Sequence, residues 1–486
     1  MGIFRQISGL ARHSAIYAIG TVIQRLPGLL LLPIYTNFNY IPSQKDYGDY
    51  TILYTFIAFM SFVYLYGMDS SMLRYFFLGE KDRKTVFSTT FVILLFTSIF
   101  TTLLLFIFSP EVAAFILESA DYAPLIRLSA LILFFDSIGN LPYLILRAEE
   151  KSVRFTVFKS SRFLLEVVFN VVYVVILKME VSGIFYTSLT ASIINLVMML
   201  PIIFRYLSRR IDLKLWKEML GFGLPLLPNG IAFMTIEMID RLLVPEYLGK
   251  EALASYGASY RFGTLLLFVI NAFRNAWQPF FLKVAHQENA KEIYARVLTY
   301  YVLGGALLVL GISYFINDVL TFHFFGKFYI LNNKSYWDGI AIIPIILLSY
   351  FFYGMYVIMT PGFYIKKESK YMIIFTGSGA LLNIVSNIIL LPLLNSFWGA
   401  AWATLISYFV MTLTIYLVAN RIYPIPIDWS RLAKIFVLLF ALLSVYYAFD
   451  LSLWLRAVII AAAFVYCILG VIHPEERKAL KMRFRG

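Results

Sequence analysis

Long apolar runs broken by short polar segments recur along the whole chain. Each run is about 20 residues or more, the length a helix needs to cross a hydrocarbon core. Barrel strands would alternate in polarity and be about half as long. In order, the runs centre on Ser14 to Asn37, Tyr47 to Tyr66, Val86 to Phe108, Tyr122 to Leu146, Arg154 to Leu177 and Val181 to Ile203. A basic segment, Arg205 to Lys217, follows. The runs resume at Met219 to Val244, Ser255 to Phe280, Tyr294 to Ile316, Gly339 to Met359, Lys370 to Leu391, Phe397 to Ala419, Leu432 to Ala448 and Leu451 to Ile472. The pattern predicts about fourteen transmembrane helices.

Basic residues test that count, because cytoplasmic loops hold the excess of lysine and arginine. With the N-terminus inside, 28 of the 41 fall in inner segments and 5 in outer loops. A missed helix would invert every later loop, so the sustained bias supports fourteen spans with both termini cytoplasmic. The halves also echo each other: Ser152, Asn170 and Gly183 match Ser369, Asn387 and Gly399 at nearly constant offset. The expected fold is an all-α integral membrane protein, two six-helix bundles related as a parallel pseudo-repeat plus two C-terminal helices. Its divisions are an N-terminal bundle at 1–204, a cytoplasmic basic connector at 205–218, a second bundle at 219–420, and two further spans with a basic tail at 421–486.

Composition narrows the class. Hydrophobic residues make up 60% and charged residues 14%, against about 25% charged in soluble domains. The net charge of +13 is accounted for by membrane topology, so no nucleic-acid partner is expected. One cysteine, Cys467, lies in an apolar run and can form neither an internal disulfide nor a thiolate cluster, and the four histidines are scattered. No signal peptide is evident; Phe4 to His13 reads as a short basic amphipathic lead-in. Tyr47, Tyr50, Tyr256 and Tyr260, near outer span ends, fit an interfacial aromatic belt. No phosphate loop, catalytic triad or metal-ligand spacing is present, so no catalytic or metal residues and no resident cofactor are expected.

The chemistry lies in charges at membrane depth, which cost ~2.5 to 3.5 kcal/mol each on insertion scales and so face protein or water. In the seventh span, Glu237, Asp240 and Arg241 follow Pro225 and Pro228 with Gly221, Gly223 and Gly230 around them, a helix that can bend. In the fifth, Lys159, Arg162, Glu166 and Asn170 step by three, four and four along one helix face. Two arrangements fit that stripe: a neutralised seam with Arg162 paired to Glu166 and Lys159 snorkelling to the cytoplasm, or the wall of a hydrated groove. Arg25, deep in the first span, either pairs with Asp136 or contacts an anion with its planar fork of donors. Arg241, Arg261 and Arg274 are further candidates, the last two nearer a membrane face. Asp136 is the deepest acid of the fourth span and serves equally a structural salt bridge or proton coupling.

Several local patterns resemble those of one family. They are Leu32-Pro-Ile-Tyr-Thr36, Tyr47-Gly48, Gly67-Met-Asp-Ser-Ser-Met-Leu-Arg-Tyr75, Asp240-Arg241 with Leu248-Gly249 and Tyr256-Gly257, and Trp277-Gln-Pro279. With the six-plus-six-plus-two arrangement, they are similar to the polysaccharide transporters of the multidrug/oligosaccharidyl-lipid/polysaccharide exporter superfamily. The resemblance covers the chain to about Asn420. It implies an O-antigen or capsule-type flippase that moves polyprenyl-diphosphate-linked oligosaccharide across the bacterial or archaeal cytoplasmic membrane by alternating access through a basic central cavity. Arg25, Arg162 and Arg241 would hold the headgroup, with Arg74 assisting and Arg261 and Asn170 lining the cavity. A proton or sodium ion would load Asp136, Glu166, Glu237 or Asp240. The partners expected are the lipid-linked substrate, membrane lipid, and glycan polymerase or ligase machinery.

Three other functions compete. A lipid II flippase also moves a diphosphate lipid and has fourteen spans. A cation-coupled drug exporter usually has twelve spans and an acid-dominated cavity. A membrane glycan polymerase or ligase should display a large external catalytic loop, and the longest outer loop here, about Asn317 to Asp338, holds no acid-base constellation.

Overall fold

The computed structural model describes residues 30–78, 82–149, 151–322, 329–366, 368 and 370–472. Among them every regular element is helical. The helices that matter here are α1 (Gln44–Leu65), α2 (Met68–Leu78), α3 (Arg83–Ile107), α4 (Ala123–Ala148), α5 (Ser152–Asn170) and α6 (Glu180–Tyr206). They continue with α7 (Leu213–Gly223), α8 (Leu227–Met238), α9 (Asp240–Leu248), α10 (Lys250–Gly263), α11 (Leu265–Val284) and α12 (Ala290–Thr321). The last are α13 (Ile343–Ile358), α14 (Lys370–Leu394), α15 (Trp398–Ile422), α16 (Trp429–Ala448) and α17 (Leu453–Tyr466).

Side chains mark several starts, as open helix ends require. Ser43 accepts from the Asp46 amide at 3.2 Å ahead of α1, and Asp212 accepts from the Lys214 and Leu215 amides at 2.9 and 3.0 Å ahead of α7. Among the described residues ten helices are long and apolar enough to cross a membrane. Two bent pairs, α7 with α8–α9 at 46° and α10 with the first part of α11 at 42°, bring the count to twelve if each is one span. The first of these is the bend that the glycines and prolines at 221–230 predict: a 3-10 turn at Leu224–Leu226 separates α7 from α8. α5 is less apolar because it carries the charged stripe, and a wide π-helical turn, Val171–Ile176, extends it. Most of the first expected span, Ser14 to Asn37, lies outside the described residues, which take in only its end from position 30, so fourteen remains the count from sequence.

The chain packs as two compact units, one running to Gly257 and one from Ala258 onward. In the first, Met72, Phe76, Phe87, Leu141, Met199 and Met219 share one core drawn from α2, α3, α4, α6 and α7. The segment expected as a connector is fastened to α3: the Ser208 amide donates to Ser88 Oγ at 2.7 Å and the Asp212 amide to Thr89 Oγ1 at 3.0 Å. Gly67 has φ +79°, a conformation that favours glycine. It lies so close to Gly223 that a methyl group on either would run into the other's carbonyl. Tyr47, Tyr50, Tyr256 and Tyr260 are buried, which corrects their reading as belt residues. The Tyr47 and Tyr50 rings pack 5.4 Å apart and fill the interior instead of meeting headgroups.

In the second unit α13 is buried along its whole length. α14 and α15 form its closest helix pair, and the appended helices α16 and α17 pack on α12. The internal repeat is visible in local geometry. Asn170 Nδ2 donates to the Glu166 carbonyl at 2.8 Å, and its match Asn387 donates to the Asn383 carbonyl at 2.9 Å. A methyl on Gly183 would lie 3.1 Å from the Tyr173 carbonyl oxygen, and one on Gly399 2.6 Å from that of Leu390, the residue matching Tyr173.

Candidate functional site

The polar stripe of α5 meets α4 and α6 at one ionic cluster. Arg162 donates through Nη1 and Nη2 to the two oxygens of Asp136 on α4, at 2.7 and 2.9 Å. Its Nε donates to Glu166 at 3.1 Å, one turn on, and Nη2 also reaches Ser192 Oγ on α6 at 3.3 Å. A planar guanidinium with five donors is suited to this fork, and charge-assisted bonds of that kind are the strong ones. Below the cluster, Asn170 is buried and accepts from Tyr35 at 2.7 Å.

Beside it opens a cavity of about 230 Å3 lined by α1, α4, α5 and α6, with Asp136, Asn140, Tyr143, Lys159, Arg162 and Asn195 as its polar wall. Lys159 does not snorkel: its Nζ sits 4.0 Å over the Tyr143 ring, a cation–π contact worth roughly 0.5 to 2 kcal/mol. Tyr143 in turn donates to Asn195 Oδ1 at 2.5 Å. Among the described residues Lys159 has no ion pair. The cluster thus holds two acids and two bases. Both acids are engaged by Arg162, and the remaining cation faces the cavity.

The other expected residues fall elsewhere. Asp240, wholly buried at the break between α8 and α9, accepts from the Tyr256 hydroxyl and, at 2.9 Å, from the Arg241 amide. The Arg241 guanidinium lies 3.7 Å from Asp240 and donates to the Glu237 carbonyl and to Met238 Sδ. Glu237 is buried alongside. Arg74 stacks over Phe222 at 4.1 Å, away from the α5 cluster. Arg261 ends α10 in the second unit, and Arg274 there donates to the Tyr353 hydroxyl at 3.0 Å. Arg25 lies outside the described residues. The structure therefore brings Asp136, Arg162, Glu166 and Asn170 into one neighbourhood, and Glu237, Asp240 and Arg241 into another.

Two features were not singled out from sequence. The stripe places Lys159, but the aromatic ring that holds it comes from another helix. Asp49 is buried at 1% exposure, 2.7 Å from Lys250 and accepting from Tyr122 at 2.6 Å. An acid inside an apolar run was the available signal.

A sequence model of the polysaccharide biosynthesis protein family matches residues 41–327. In fold, the chain is similar to lipid II flippase MurJ in an inward closed conformation. The two are 17% identical, over 93% of this chain and 97% of that one, with a TM-score of 0.72. It is also similar to a multidrug resistance MATE family transporter of the MOP superfamily. The inward-facing form gives 14% identity over 86% and 98% of the two chains and a TM-score of 0.66; the outward-facing form gives 15% over 88% and 96%, and 0.60. No sequence among curated proteins matches it.

Proposed function

The chain belongs to the polysaccharide biosynthesis protein family, and from that premise we propose that it is a flippase for polyprenyl-diphosphate-linked oligosaccharide. It carries O-antigen, capsular or exopolysaccharide repeat units across the cytoplasmic membrane by alternating access, with both termini cytoplasmic, and passes them to polymerase or ligase machinery. It is not an enzyme: it moves its substrate without changing a covalent bond. The observation that carries this reading is the cation over Tyr143: Lys159 faces a cavity at membrane depth and is neutralised by no direct partner. At about 230 Å3 the cavity is smaller than the ~300 to 1,000 Å3 of ligand pockets. It suits one phosphate of a headgroup, while the sugars occupy other space and the polyprenyl tail stays in lipid.

Arg162 supplies the coupling. As it stands, its donors are committed to Asp136 and Glu166. A proton or sodium ion arriving at either carboxylate would release part of that fork and let it turn to a phosphate beside Lys159, so cation entry and headgroup capture assist each other.

Proteoliposomes loaded with labelled polyprenyl-diphosphate oligosaccharide test this by transbilayer movement, with lipid II in a parallel set. Movement of the oligosaccharide lipid, slowed at least tenfold by Lys159→Met and retained by Lys159→Arg, is the expected result. Correctly inserted protein that moves no lipid-linked oligosaccharide, or a Lys159→Met variant as fast as the parent, overturns it.

A further inference from the structure

The unit from Ala258 onward has a groove of its own, about 260 Å3, where the ends of α12 and α16 meet the start of α17. Aromatic rings line one side: Tyr314 and Tyr446 have centroids 5.6 Å apart, and Tyr446 and Tyr447 5.0 Å apart. Polar groups complete the lining. Arg456 donates through Nε to the Leu451 carbonyl at 2.7 Å and through Nη1 to Asp318 at 2.7 Å and the Tyr314 carbonyl at 3.4 Å. Its Nη2 lies 3.5 Å from Asp450. The guanidinium is bonded to Asp318 and lies near Asp450, whose side chain is fully exposed. Asn317 and Tyr446 line the same groove, and among the described residues neither side chain has a hydrogen-bond partner.

We propose that this groove binds a neutral sugar ring. A pyranose has apolar C–H faces that pack on aromatic rings and an equator of hydroxyls that both donate and accept. Tyr446 and Tyr447 supply the first surface. The Asn317 amide, the Tyr446 hydroxyl and the outer Asp450 oxygen supply donors and acceptors for the second. Charge sorts against the alternatives. One guanidinium between two carboxylates leaves a net negative site, which repels a phosphate headgroup. A lipid chain laid there would strip water from an amide and a carboxylate and give nothing back. Anchoring at the membrane interface accounts for the rings but not for the two acids beside them. The volume fits one ring rather than an oligosaccharide.

The groove goes beyond the flippase reading and is separate from the cavity at Lys159. In the topology that the basic residues favour, the α16–α17 turn faces outward, so a glycan delivered to that side would meet it. Saturation-transfer NMR on the full chain in nanodiscs, with galactose and N-acetylglucosamine as probes and inorganic pyrophosphate as competitor, tests the proposal. Ring-proton signals from at least one sugar, undisturbed by pyrophosphate and at least fivefold weaker in an Asn317→Ala/Asp450→Asn variant, are expected. Both positions are exposed, and an unchanged thermal midpoint shows that the variant folds. Absent sugar signals, signals as strong in the variant, or displacement by pyrophosphate overturn the proposal. No transport is read, so a chain that binds sugar but flips nothing sinks only the flippase reading, and one that flips but binds no sugar sinks only this one.

Discussion

At four matched positions α5 carries Lys159, Arg162, Glu166 and Asn170, whereas α14 carries Thr376, Gly379, Asn383 and Asn387. The backbone devices around them are shared: the asparagine that bonds back one turn, and the glycine pressed on a carbonyl of the preceding helix. Only the charges differ. Around α14 the interior is closed by uncharged groups, with Asn383 and Asn387 wholly buried and Tyr350 packed on Tyr408 at 5.8 Å. The matched face of such a helix is thus buried without ions. The charges of α5 are therefore not what the packing of such a helix demands, and the coupling role proposed for Arg162 would account for them.

The sharpest way to break that comparison is to remove one ion. Arg162→Met leaves Asp136 and Glu166 facing each other unpaired and should cost ~3 kcal/mol, the low end for a broken buried pair, because these side chains keep 21 to 35% exposure. Adding Asp136→Asn and Glu166→Gln should restore most of the thermal midpoint while transport stays lost. If the triple variant remains as unstable as the single one, the ions are structural.

The converse is to place a charge in the other unit. Asn383→Glu copies Glu166 into a position with no exposure and no matching arginine, and should cost ~2.5 kcal/mol. Yield of folded protein in detergent reads it, and parental yield would mean that the α14 environment is wetter than its burial shows. Glycine tests the shared devices. Gly399→Ala should destabilise by ~1 to 3 kcal/mol, since its methyl would stand 2.6 Å from the Leu390 carbonyl carbon and oxygen, while Gly183→Ala, whose methyl would stand a tight 3.1 Å from the Tyr173 carbonyl oxygen, should cost less. Equal midpoints for the two would undo the ranking.

The smallest effect concerns Glu149, at the end of α4. Burial pushes its carboxyl up, but bonds from Lys151 and Tyr206 prevail and hold it below its ordinary value. Its stabilisation is then complete above about pH 4.3 and is lost as pH falls through the lower folded value. Glu149→Gln should lower stability by ~1 kcal/mol or less at pH 7, read as a lower thermal midpoint, and the gap should close in acid. A gap that widens in acid would contradict that sign.

Much of this was legible in the chain, for reasons that follow helix geometry. The stripe on α5 and the Arg162–Glu166 pair are set by spacings of three and four along a single helix. The bend between α7 and α8 comes from prolines that cannot donate, and the repeat from an asparagine and a glycine that recur at nearly constant offset. What was hidden depends on how helices turn toward one another. Asp136 is 26 residues from Arg162, and whether it reaches Arg162 rests on the rotation of α4. Lys159 looked free to reach the cytoplasm until Tyr143 supplied a ring for it. Tyr47 and Tyr256 sit where belt residues sit, yet turn inward. Asp49 and Lys250 are far apart in sequence and pair only in three dimensions.

Where Gly67 meets Gly223, main chain rests directly on main chain, and Ser71 ties the same place to the Met219 carbonyl at 2.6 Å. A joint with no rotamers has no slack: when α7 tilts, no side chain is present to yield, and the start of α2 must travel with it. Such a rigid coupling would hand movement from one helix to the next undiminished, as a pinned hinge does in a linkage.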